Sequence, residues 1–106
     1  MRTINELLSH HEKVWFYLAG EVVGKQFLEQ AEKEGFSFSK DLPPTAGTWG
    51  YVIAAHKDKS LGHVSITVWH MSFGGDVVSC PPKIDYQKYM GGEKDFICES
   101  SHFRKL

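Results

Sequence analysis

The sequence predicts an α+β fold: one small domain whose mixed or antiparallel sheet of about four strands is packed by one long amphipathic helix and a short N-terminal helix. The chain has 106 residues, a common size for one domain, so residues 1–106 are read as a single α/β unit without an internal boundary. Glu21 to Glu34 repeats apolar residues at helical spacing. Val14 to Leu18, Trp49 to His56 and Gly62 to Phe73 are rich in β-branched and aromatic residues, the composition of strands.

Thr3-Ile4-Asn5-Glu6 fits a capping box, in which the Thr3 hydroxyl accepts from the Glu6 N–H and the Glu6 carboxylate reaches back. Ile4, Leu7, Leu8 and His11 then follow at helical spacing, so a short helix is expected over Thr3 to His10. Lys13 to Ala19 reads as a buried strand, and Gly20 separates it from the long helix. In that helix Val23, Phe27 and Ala31, with Gly24 and Leu28, form the apolar stripe. Glu21, Lys25, Glu29, Glu32 and Lys33 face water. Gly35 stands where a left-handed residue ends a helix.

Phe36 and Phe38 alternate with serines and predict a short extended piece. Lys40 to Thr48, with Pro43-Pro44 and Gly47, is a loop. Trp49 to His56 and Gly62 to Phe73 are then expected as a hairpin joined by Lys57 to Leu61. Val77-Val78 extends the sheet in this reading, and Cys80-Pro81-Pro82 interrupts it. Asp85 to Met90 forms a turn or two of helix, and Asp95 to Glu99 is a last strand.

Forty-two per cent hydrophobic and 24% charged residues place the chain among globular proteins. Twelve basic residues against thirteen acidic ones give a net charge of −1. Neither the basic excess of a nucleic-acid binder nor the acidic excess of a DNA mimic is present. The N-terminus lacks the apolar core of a signal peptide, and no apolar run approaches membrane length. Cys80 and Cys98 are too few for a disulfide scaffold, so a cytoplasmic protein with free thiols and no membrane attachment is expected.

Successive strand residues face opposite sides. Val14, Phe16 and Leu18 therefore oppose Trp15 and Tyr17. Gly50, Val52 and Ala54 oppose Trp49, Tyr51 and Ile53, while Val64, Ile66 and Val68 oppose His63, Ser65, Thr67 and Trp69. A turn centred near Lys59 would set Trp49 across from Trp69, Tyr51 from Thr67 and Ile53 from Ser65. One face then collects the candidate site: Trp15, Tyr17, Trp49, Tyr51, His63, Ser65, Thr67 and Trp69. Two readings follow. The face is a second hydrophobic layer, covered by the N-terminal helix, the Pro43-Pro44 loop and the C-terminal segment. Or it is an exposed patch or pocket, where rings beside hydroxyls and an imidazole suit a nucleotide-like ligand or a protein partner.

No phosphate-binding glycine loop, nucleophile elbow or Cys-x-x-Cys pair is present, and no catalytic residue is assigned. Gly74-Gly75-Asp76 and Gly91-Gly92-Glu93 read as turns. His56, His63 and His70 recur every seven residues, which on strands alternates their faces. Cys98-x-x-x-His102 is a lone half-site, so neither a metal nor a cofactor is expected. His63-Val64-Ser65-Ile66 and His70-Met71-Ser72-Phe73 resemble the paired elements of two-histidine phosphoesterases, in which imidazoles act as acid and base. Those enzymes bring their elements from separate strands, whereas here one strand would carry both.

KVWFYLAGEVVGKQFLEQAEKEGFSF, WGYVIAAHKDKSLGHVSITVWHMSF and KIDYQKYMGGEKDF together resemble a group of small proteins from phages and mobile elements of gut-type Gram-positive bacteria. The resemblance covers most of the chain and contains no catalytic signature. It implies a mobile-element accessory protein that counters host defence in the cytoplasm of a bacterial host; the absence of a catalytic motif favours a binding protein over an enzyme. The leading expectation is a phage-type anti-defence protein that sequesters a nucleotide-derived small molecule; the runner-up inhibits a host defence nuclease or effector by direct contact, using the same aromatic face. A small phosphoesterase is the remaining alternative. An aromatic face with open strand edges also predicts a homodimer.

Overall fold

A computed structural model describes residues 3–38, 43–46, 49–71, 82–94 and 96–98. Helix α1 covers Ile4–Leu8, and its N-cap Thr3 accepts from the Glu6 N–H at 3.1 Å. The Glu6 carboxylate accepts from Tyr89 Oη at 3.2 Å. The two N–H groups before Glu6 find a distant acceptor. Ile4 and Asn5 donate to the two carboxylate oxygens of Glu34, at 3.0 and 2.8 Å. Glu34 is the C-cap residue of α2 (Glu21–Lys33), so the end of one helix caps the start of another. Gly35 follows with φ +91°, the left-handed conformation expected of it.

Strands β1 (Lys13–Tyr17), β2 (Val52–His56), β3 (Leu61–His63) and β4 (Lys83–Asp85) form one sheet in the order β3-β2-β1-β4. β1 runs antiparallel to β2 and parallel to β4, and β2 runs antiparallel to β3, so the sheet is mixed and the fold α+β. A bridge between Ile84 and Ile97 adds the segment around Phe96–Cys98 beside β4, where a last strand is expected. β4 itself has no counterpart in the sequence reading. The predicted Val77-Val78 extension lies outside the described residues.

The first face of the sheet carries the main core. Val14, Phe16 and Leu18 pack with Ile53, Ala55, Leu61 and Ile84 beneath the α2 residues Val23, Phe27, Leu28 and Ala31. Ile4 and Leu8 of α1 join the same core, as do Tyr86 and Tyr89 of α4 (Tyr86–Met90). Phe16, Phe27 and Tyr86 form a ring cluster with centroids 5.1 to 5.7 Å apart, spacings at which edge and tilted contacts are favourable.

The structure corrects the sequence reading between Trp49 and Phe73. β3 ends at His63, and Ile66–Met71 is helix α3. The Ser65 hydroxyl accepts from the Val68 N–H at 3.1 Å, a helix-start contact that outweighs the strand-like alternation of Val64, Ile66 and Val68. The hairpin pairs Ile53 with His63 rather than with Ser65. Its turn holds Lys59 at φ +75°, while the Asp58 carboxylate accepts from Ser60 N at 3.0 Å and Ser60 Oγ at 2.6 Å. Phe16 pairs with Ile53, so Ile53 faces α2 and Val52 the opposite side, the reverse of the predicted sorting.

Candidate functional site

Trp15 and Tyr17 leave β1 on the side away from Phe16. They stand beside Ala54 and Val52 of β2, and beside Lys83 and Asp85 of β4. Helix α3 brings one side chain onto this second face. It sets Trp69, with 0% of its surface exposed, among Val52, Cys98 and the partly buried Trp15, Tyr17, Tyr51 and Val64. The Trp69 ring lies 6.1 Å from that of Tyr17.

Of the predicted site residues, Trp15, Tyr17, Tyr51 and Trp69 are thus brought together. Trp69 arrives from a helix, where a strand was expected. Trp49 touches this cluster at its edge, through Tyr51. It packs against the main core beside Gly24 of α2 and meets Tyr51 edge-on at 5.1 Å. His63 faces the α2 side, where it stacks on Phe38 with ring centroids 4.9 Å apart. Ser65 is engaged as the start of α3, and Thr67 is exposed on that helix. The imidazole therefore lies on the α2 side of the sheet, and Ser65 and Thr67 are exposed. For the phosphoesterase pattern, Ser72 lies outside the described residues.

The cluster resolves into one buried ring and a rim. Trp69 serves as a packing element, and Trp15, Tyr17 and Tyr51 are half-buried around it. Exposed Val68 of α3 adds apolar surface, with 45% of its area open.

The sequence reading missed the polar members of this face. Lys83 is buried, with Nζ 5.9 Å from the centre of the Trp15 ring, where a cation–π attraction acts. Asp85 caps α4 by accepting from the Lys88 N–H at 3.2 Å. Burial pushes the Cys98 thiol up to about 12; the Asp85 charge adds to this, while Lys88 and Lys83 oppose it. Burial also raises the Tyr17 phenol, helped by Asp85, Cys98 and Tyr51. Thiol and phenol are therefore held protonated at neutral pH. Lys83-Ile84-Asp85 does alternate polar and apolar, which is the one local trace of β4 in the sequence.

No family model, curated protein or solved structure matches the chain. Stacking area and hydrogen-bonding groups stand together on the second face: indole and phenol rings, a protonated thiol, an ammonium and a capping carboxylate. Among the described residues, no group of three or more His, Cys, Asp or Glu side chains is placed to hold a metal ion. No helix among them is long and apolar enough to cross a membrane.

Proposed function

We propose that the protein is a non-enzymatic binding protein that acts by direct contact with a partner protein. Trp15, Tyr17 and Tyr51, on the second face of the sheet, form the contact surface. One observation carries this reading. The ring best placed to serve as a stacking platform, Trp69, is consumed by the core, while the rings around it keep partly open surface. Half-open Trp and Tyr rings are the composition of a protein interface centre. With the resemblance to phage and mobile-element proteins, the partner is a host defence nuclease or effector, met in the bacterial cytoplasm.

A second reading is favoured by Lys83. An ammonium beside an indole face suits the phosphate and base of a nucleotide-derived ligand, which the protein would sequester. Calorimetric titration with cyclic nucleotides and ADP-ribose nucleotides separates the two. Direct contact predicts no heat of binding for the purified protein with any of them. Saturable binding that weakens in Trp15→Ala would replace the first reading with the second.

The proposal includes a two-fold dimer. It is supported by Ile97, which is 57% exposed on the segment flanking β4.

A further inference from the structure

We draw no further inference here: the strongest candidate, the cluster of Lys83, Asp85 and Cys98 beside Tyr17 on the second face of the sheet, belongs to the site already described, and nothing in the structure shows what covers it.

Discussion

The indole of Trp49 lies so close to Gly24 that a β-carbon at Gly24 would stand 2.8 Å from its Cε3 and 2.9 Å from its Cβ. The Cβ is fixed to the backbone and Cε3 belongs to the rigid indole ring, so neither is the far end of a flexible side chain. Gly24 thus lets α2 and the chain leading into β2 approach each other.

Gly24→Ala should therefore destabilise the protein, against the helix propensity of alanine. Overpacking costs about 1–3 kcal/mol, whereas replacing a helical glycine gains at most about 1 kcal/mol. Urea denaturation followed by tryptophan fluorescence measures the balance. In the Trp49→Gly background, which removes the Cβ together with the ring, the same change should become neutral or stabilising. A Gly24→Ala variant more stable than wild type would show that the close approach is absent.

The Glu34 carboxylate joins two helices through the N–H groups of Ile4 and Asn5, and Gln30 Nε2 donates to it at 2.6 Å. Glu34→Ala leaves both N–H groups without this acceptor and should cost about 0.5–2 kcal/mol, the range for lost caps. Glu34→Gln keeps one carbonyl acceptor and should cost less. Amide hydrogen exchange at Ile4 and Asn5 should quicken more than exchange in β1. Unchanged protection at those amides in Glu34→Ala would contradict the cap.

Trp69 and Trp15 should respond differently to truncation. Trp69→Ala empties a fully buried site and should cost about 3–5 kcal/mol, enough to unfold a marginal domain. Trp15→Ala removes a half-buried ring and should leave a folded protein with a smaller loss. Thermal melts of the two variants side by side check the ranking. Equal losses would mean that Trp69 is not the core of the second face.

How far this arrangement was legible in the sequence depended on how local each signal was. Val14 to Tyr17 alternates toward two layers that both exist, so the faces of β1 were readable. The α2 stripe and Gly35 were equally plain. β2 was not, because Val52, Ile53, Ala54 and Ala55 are all buried and offer no polar alternation to show which side faces α2. Helix α3 is six residues long, and its start signal, Ser65, sits inside a run whose alternation fits a strand equally well. β4 has three residues and depends on parallel pairing with β1, far away in the chain. Four of the eight predicted site residues therefore meet (Trp15, Tyr17, Tyr51 and Trp69), while Lys83, Asp85 and Cys98 had no local signal strong enough to bring them in.

Cys98 should be slow to react and should cost stability at high pH. Its thiol is raised from 9.0 to about 12 on folding, so the native state holds its proton more tightly than the unfolded chain. The resulting stabilisation is complete below the unfolded value and is lost as pH rises toward the folded one. Denaturation at successive pH values from about 8 to 11 should show wild type losing more stability than Cys98→Ala over this window. At pH near 8, alkylation of Cys98, read by peptide mass, should wait on unfolding. Rapid alkylation of the native protein at this residue would contradict its burial.

Sedimentation at low micromolar concentration tests the dimer. A two-fold pair should appear at twice the 12.0 kDa chain mass, and Ile97→Lys should shift it toward monomer, since a charge on an edge opposes pairing. A wild type that stays monomeric removes the dimer and leaves the contact surface untouched.

The most direct measurement for the contact surface is native mass spectrometry of tagged protein isolated from a bacterial host challenged by phage. It should be run for wild type beside the Trp15→Ala/Tyr51→Ala double variant, with thermal melts of both. Direct contact predicts a stoichiometric host protein on the wild type, and a double variant that remains folded but has lost it. A wild type that carries a nucleotide-sized mass instead, or a folded double variant that keeps the host protein, would contradict it.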